Sequence, residues 1–451
     1  MSGILDMNKI NYNKIVAELE CWFDSWRDKE GRYNGPVIHR RDLKRLKDIH
    51  DTPWSQAEVI NAYLNIYSIT EKREYLDKAI IAAKAQISNI LDTGEYRYAG
   101  YEDDRFSSLV HNALADCALL NLAKLLKNRN ILCDLKDEII ITVQKNIKEY
   151  FINCLYVPAI GAFKFNHVDY YSLDENRCVC NMNAIAAEAM IKLEELTGDI
   201  SLSKYINSVG TWLKKYVNFS KSIDCGAISY SHTQEHVYIS IYTALALRGI
   251  CCIYEYNKDE ELLKIIKKST ENLVGFMDND MFMHESNNGK IYSKPWFVSG
   301  SGMIFSAIRS ANSYMELKID EEKYLIPFMK YQLSNGAFQN YIGYNSCGNR
   351  LTRKKDGCEV WEDVFPTIGW NAQMFAYLSN YVTKEYKSIS ETKNNLIVRW
   401  NYFYYENSKK SYILSWYPLR SIALLKYSKK KNKAQIAFSL LDFTRKLRGL
   451  R

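Results

Sequence analysis

The sequence is poor in residues that interrupt helices: its 451 residues include only 7 Pro and 20 Gly. Long helices are permitted almost anywhere, and a collagen-like or Gly/Pro-rich disordered chain is excluded. No CxxC occurs among the 11 Cys, whose only close pairs are Cys178/Cys180 and Cys251/Cys252. A disulfide framework or a zinc knuckle needs denser, paired spacing. The thiols therefore read as small buried groups in a reducing compartment, the cytoplasm. The opening, MSGILDMNKINYNK, has no basic stretch followed by an apolar run, so no export signal is expected. A clean membrane span of about 18–20 apolar residues is also lacking. The most apolar stretch, Val237 to Tyr254, contains Arg248, Gly249 and several Tyr and Thr, and reads as a buried helix.

Positive charge spread over the chain is missing too. The net charge is +8, but Lys426 to Arg451 holds nine Lys and Arg against Asp442 alone, which leaves the remainder neutral. A nucleic-acid groove would distribute its charge over the folded surface, so no nucleic-acid partner is expected. The tail reads as a solvated basic helix. Ile436, Leu440, Leu441 and Leu447 between its charges equip it for weak contact with an acidic membrane surface or a partner protein.

What is present is a globular composition, 47% hydrophobic and 25% charged, arranged in a repeat without sequence identity. Six segments rich in small and apolar residues begin near Ser55, Ser107, Asn181, His236, Ser299 and Trp370. Between them lie amphipathic segments such as KREYLDKAIIAAKAQISNIL and DEELLKIIKKSTENLVGFM, with one apolar stripe and one charged face. A helix apolar on every side must be surrounded. Six of them are surrounded equally by a ring of inner helices inside a ring of outer ones. Only five outer helices follow their inner partners, so Ile10 to Arg27 is expected to supply the sixth and close the ring. The predicted fold is all-α, an (α/α)6 toroid of helical hairpins over residues 1–382. Residues 383–451 are expected to form a small mixed appendage, with strand-like IVRWNYFYYE and SYILSWYPLRSIALLKY, ending in the basic tail.

The connections are asymmetric. Thr197-Gly198-Asp199 and Asn257-Lys258-Asp259 are short stops, as antiparallel neighbours require. The segments leading into inner helices are long, aromatic and polar, including EYRYAGYEDDRFSS, FKFNHVDYYSLDENRCVCN and GYNSCGNRLTRKKDGCEVWEDVFPTIG. Long loops of this kind are usually functional, and these gather at one mouth of the ring.

The segments CVCNMNAIAAEAMIKLEELTGD and ISYSHTQEHVYISIYTALALRGICCIYEYNKD resemble inner helices of the six-hairpin glycosidase superfamily and its toroid relatives among polysaccharide lyases and sugar epimerases. The resemblance covers roughly residues 8 to 382. It implies a carbohydrate-active enzyme working at the mouth, without a cofactor.

Glycoside hydrolysis needs two carboxylates, one protonated and one ionised. Candidates before the inner helices are Asp103 and Asp104, Asp174 and Glu175, Glu235, and Glu359, Glu362 and Asp363. Each also suits a helix N-terminus as a cap. A lyase or epimerase uses a His or Tyr base with an amide or cation to stabilise the enolate. Tyr230-Ser231-His232-Thr233-Gln234-Glu235-His236 concentrates such groups, with His232 and His236 on one face if helical. HExxH is absent and no third ligand can be named, so no metal is assigned. The expected catalytic groups are Asp104, His232, Glu235, His236, Glu362 and Asp363. The expected sugar contacts are Trp54, Tyr101, Arg105, Asn181, Tyr230, Trp296, Trp361 and Trp370, because flat rings with a polar handle stack on sugar faces. Two other classes stay open. Isoprenoid and lanthionine cyclases also use α/α rings, although Glu102-Asp103-Asp104 only approximates the DxDD acid and the Cys/His zinc set is unmatched; the third class is an inert glycan- or protein-binding ring.

Overall fold

The computed structural model describes residues 10–36, 49–50, 53–97, 107–167, 177–222, 224–278, 285–287, 290–292, 296–333, 336–342, 366–389, 412–416 and 421–425. Twelve α-helices lie among them: α1 (Tyr12–Asp24), α2 (Pro53–Thr70), α3 (Arg73–Ile87), α4 (Leu109–Arg129), α5 (Cys133–Lys145), α6 (Cys180–Thr197), α7 (Ser203–Leu213), α8 (Ser240–Asn257), α9 (Glu260–Asp278), α10 (Ser301–Asn312), α11 (Glu321–Met329) and α12 (Ile368–Leu378). A π-helical stretch, Asn146–Leu155, prolongs α5.

The inner ring is closed. Helix α2 packs on α4, α4 on α6, α6 on α8, α8 on α10, α10 on α12, and α12 back on α2. The other six helices lie outside, each against an inner one, and α1 packs on α12 as the missing sixth. Burial follows the two sequence types. Helix α6 is buried without a break from Cys180 to Ile191. Outer α5 buries only Leu135, Ile139, Thr142 and Val143, one helical stripe. Each large apolar side chain so enclosed contributes about 1.5–3 kcal/mol. Helix α4 is long and apolar enough to cross a membrane, but 78% of its apolar window is buried inside the protein. It is a core helix of the ring.

A local device sets the register. After α1, α3, α5, α7 and α11 the chain turns through Gly31, Gly94, Gly161, Gly226 or Gly336, all at positive φ, and two residues later reaches Tyr33, Tyr96, Phe163, Ile228 or Phe338. The fourth residue of the next inner helix grips that residue's backbone. The Asn183 carboxamide accepts from Phe163 N at 2.7 Å and donates to its O at 2.9 Å, and Asn371 repeats this on Phe338 at 2.7 and 3.1 Å. Gln56 accepts from Tyr33 N, Asn112 from Tyr96 N, and Thr243 from Ile228 N. Gly336 shows why glycine is needed. At φ +91° a Cβ would stand 2.0 Å from the Glu18 carbonyl oxygen of α1, so this turn docks the last outer helix onto the first.

The short connections end as expected, with Gly198 and Lys258 in left-handed conformation closing α6 and α8. The region Tyr230 to His236 is not helical, so the condition that would set His232 and His236 on one helix face is not met. Ser229–Ser231 and Gln234–Ile239 form an antiparallel hairpin, extended by strands Glu285–Asn287 and Lys290–Tyr292 into a four-stranded sheet. Alternation of Val237, Tyr238 and Ile239 favours a strand there, and α8 begins only at Ser240. In residues 383–451, Tyr412–Trp416 pairs with Ser421–Leu425, and both strands fall within the segment read as strand-like. Tyr386 ties the stretch after α12 to α1 by donating to Glu20 at 2.6 Å. The basic tail lies outside the described residues.

Candidate functional site

Because the fourth residue of five inner helices is pinned, the residue before it recurs at one level of the mouth. Three of these residues are His111, Tyr242 and Trp370, all half-buried. His111 lies parallel to Trp54 with ring centres 6.1 Å apart and planes 12° apart. Trp54 meets the edge of Trp370 at 4.9 Å, and Trp370 meets Phe297 at 4.5 Å. Gly369 makes room for this arc, since a Cβ there would fall 2.1 Å from Trp54 Cζ2. Across the α8 sector, Tyr242 packs on Tyr230 at 5.5 Å. Burial lowers the His111 pKa to about 3, and the residue as a whole is only partly covered. That combination marks the wall of a recess, and it keeps the imidazole neutral at physiological pH.

Next to the aromatic arc, buried polar atoms stand without hydrogen-bond partners. They are Ser108 Oγ and Asn181 Oδ1 at the starts of α4 and α6, and Asn166 Nδ2 and Arg177 Nε beside them. The segments are joined by Leu109 N to Phe165 O at 2.9 Å and Phe165 N to Arg177 O at 2.8 Å. The strip continues through the Val179–Ser231 bridge to His232. His232 Nδ1 lies 3.1 Å from Cys178 N and 3.3 Å from Cys178 O, so the backbone of Cys178 holds this ring nitrogen. Glu235 and His236 are exposed on the following strand. At the outer edge of this sector, Glu95 Oε1 lies 4.0 Å from His167 Nε2.

An ionic network forms the floor. Arg248 of α8 grips Glu188 of α6 with two parallel bonds, 2.9 and 3.0 Å, and its Nη1 lies 3.7 Å from Glu58 Oε1 on α2. Helices α8 and α2 are not neighbours in the ring, so this contact crosses the lumen. Lys192 approaches Glu188 at 3.7 Å and donates to Asn121 at 2.8 Å; Asn121 donates to Asn61 at 3.0 Å. Burial pushes the Glu188 carboxyl up, but Arg248 and Lys192 more than reverse it and hold it below the ordinary range. For Glu58, burial outweighs the pull of Arg248 and leaves the carboxyl raised.

Of the residues expected from sequence, Trp54 and Trp370 meet in the arc, and Asn181, Tyr230 and His232 belong to the adjoining strip. Trp296 lies in a short strand paired with Tyr341–Ile342. Tyr101, Asp104, Arg105, Trp361, Glu362 and Asp363 lie outside the described residues. His111, Glu58, Glu188 and Arg248 were not anticipated; a charged residue within an otherwise apolar inner helix is the signal that marks the last three.

No family model and no curated protein sequence matches the chain. Solved structures do match. Cellobiose 2-epimerase from Bacillus thermoamylovorans B4167 superposes with a TM-score of 0.57 at 14% identity, over 82% of this chain and 99% of that one. A D-mannose isomerase gives 0.58 at 11%, over 84% and 99%. An inactive variant of the α-1,6-mannanase of Salegentibacter sp. HEL1_6, with two adjacent aspartates replaced and α-1,6-mannotriose bound, gives 0.50 at 11%, over 82% and 98%. The fold these structures share with the chain is the (α/α)6 toroid.

Proposed function

We propose that this protein is a carbohydrate-active enzyme that hydrolyses a glycosidic bond at the mouth of its toroid. The observation that carries the reading is the Trp54–His111–Trp370 arc beside the unpartnered atoms Ser108 Oγ, Asn166 Nδ2, Arg177 Nε and Asn181 Oδ1. Sugars present both halves of the complement, an apolar ring face for the aromatics and hydroxyls that donate and accept for the orphaned polar atoms. The cellobiose epimerase, mannose isomerase and mannanase of the same fold act on sugars by their names, which supports the substrate class.

Hydrolysis is preferred over proton abstraction from carbon on the state of His111. An imidazole with a pKa of about 3 is too weak a base for that step at neutral pH. Carboxylates, by contrast, precede four of the six inner helices, among them the adjacent pair Asp103–Asp104. The inactive mannanase variant is one in which an adjacent aspartate pair is replaced. A cytoplasmic site of action is proposed from the scattered spacing of the cysteines.

The test is incubation of the full chain in D2O with cellobiose, D-mannose, α-1,6-mannotriose and a uronate oligosaccharide, followed by NMR. New reducing ends without deuterium on carbon support hydrolysis. Deuterium on a sugar carbon with unchanged chain length moves the assignment to epimerisation or isomerisation, and unsaturated ends move it to elimination. If saturation-transfer signals are missing for every sugar, the carbohydrate reading fails and an isoprenoid or peptide cyclase or a protein-binding ring takes its place.

A further inference from the structure

The floor of the lumen holds two carboxylates and one guanidinium that cannot serve both equally. Arg248 engages Glu188 through Nε and Nη2, both within 3.0 Å. Its remaining approach to Glu58, 3.7 Å, exceeds hydrogen-bond length. Glu58 Oε1 is buried and has no hydrogen-bond partner, while Oε2 accepts only a long 3.4 Å bond from Asn61. Glu58 also follows Trp54 by four residues on α2, so the ring of the aromatic arc and this carboxyl share one face, one turn apart. An orphaned acidic oxygen thus belongs to a side chain one helical turn below the Trp54 ring.

We infer that Glu58 is the acid of the site, giving its proton to the glycosidic oxygen of a sugar seated against Trp54. The inference rests on the hydrolytic reading above. As the bond from the anomeric carbon breaks, its electron pair stays on the glycosidic oxygen, which takes the proton of Glu58. Water bonds to the anomeric carbon and gives up a proton to a second carboxylate of the mouth. Exchange with solvent then reprotonates Glu58, and the overall reaction consumes one water.

The electrostatics are consistent with this role. Two carboxylates competing for one cation titrate apart, as paired acid and base groups do. Arg248 and Lys192 bias Glu188 toward the charged form, whereas burial biases Glu58 toward the protonated one. The charged groups facing Glu58 are Arg248 from α8 and Glu188 from α6. A structural role would need Glu58 to complete the Arg248 ion pair, yet Glu188 already does so bidentately.

The experiment replaces Glu58 in the full chain by Gln and by Asp, using as probe whichever of cellobiose or α-1,6-mannotriose the wild type cleaves. For E58Q, kcat should fall about 100- to 10,000-fold while binding by calorimetry stays within a few-fold. The alkaline limb of the kcat profile, where the acid loses its proton, should vanish. E58D, which keeps a proton carrier on a shorter arm, should recover part of the rate. Infrared difference spectra at neutral pH should show a protonated carboxyl band in the wild type that E58Q lacks. An E58Q enzyme that keeps its kcat and its alkaline limb overturns the inference, as does a loss of rate matched by an equal loss of folded protein. Wild type that cleaves sugars while W54A abolishes binding leaves the functional reading standing in either case. Wild type that neither binds nor cleaves any sugar removes both.

Discussion

Replacing Arg248 by Met tests whether the lumen floor is an ion network whose charges depend on one another. The side chain of Arg248 is 14% exposed and those of its partners Glu188 and Glu58 are 4% and 5% exposed, so solvent offers little compensation when the guanidinium goes. Removing one member of such a buried pair costs about 3–5 kcal/mol. The sign of the pH dependence follows from the carboxyls. In the wild type the Glu188 pKa is held below its unfolded value, so its contribution is present above the unfolded pKa and fades as pH falls through the folded one. Without Arg248, burial becomes the dominant influence and the folded pKa rises above the unfolded value. The group then contributes stability at low pH that is lost as pH rises. Urea denaturation from pH 8 to pH 5 should therefore show a wild-type advantage that is largest at pH 8 and shrinks toward pH 5. Converting Glu188 as well as Arg248 to Met should recover most of the loss, because an apolar pair of similar volume needs no desolvation. A gap below about 1 kcal/mol, or a gap constant across pH, would refute the buried network.

Gly369→Ala places a methyl 2.1 Å from the Trp54 ring and should weaken sugar binding about tenfold, a shift of about 1.4 kcal/mol, with a changed tryptophan emission; unchanged affinity would remove Trp54 from the binding surface. Gly336→Ala combines φ +91° with a 2.0 Å clash on the Glu18 carbonyl and should lower stability by more than about 2 kcal/mol. Gly198→Ala, at φ +75° with nothing within 4 Å, should cost only about 1 kcal/mol, and equal losses at the two sites would contradict the docking role of Gly336. NMR of ring-labelled histidine should find His111 neutral throughout pH 5 to 8, since burial lowers its pKa to about 3; a midpoint near the ordinary 6.5 would mean that the recess is open to water.

The ring was legible because its physical demand is simple. A segment such as AIAAEAMIKL has no polar face to give to water, so six of them require mutual enclosure, and the surplus amphipathic helix at Tyr12–Asp24 was the only candidate to complete the outer layer. The level of the helices within the ring was less legible. It depends on five turns, GRY, GEY, GAF, GAI and GAF, that look like ordinary Gly turns until each is matched with a Gln, Asn or Thr at the start of the next inner helix. The pairs lie 15 to 33 residues apart, too far for local periodicity to connect. The hairpin at Ser229–Ile239 was not legible for a related reason. The His-xxx-His spacing fits a helix, but Val237 and Tyr238 pair with Asn287 and Ser286, and a partner strand more than 45 residues away decides the conformation.

The site divides along the same line between local and distant causes. Trp54 and Trp370 were recoverable because large aromatics at the starts of inner helices must face either the lumen or a neighbouring helix. His111 was not, since one histidine in SSLVHNALADCALL reads as core until the anchor Asn112 shows that it shares a level with Trp370. Glu188 and Arg248 had the clearest unused signal: each stands five residues after its anchor, Asn183 or Thr243, in helices that pack side by side. A carboxylate and a guanidinium at equal depth in adjacent buried helices have little choice except each other. Glu58, on a helix that is not adjacent to α8, has no such assured partner. Its position as the second carboxylate against one cation distinguishes a group that can release a proton from one that only completes an ion pair.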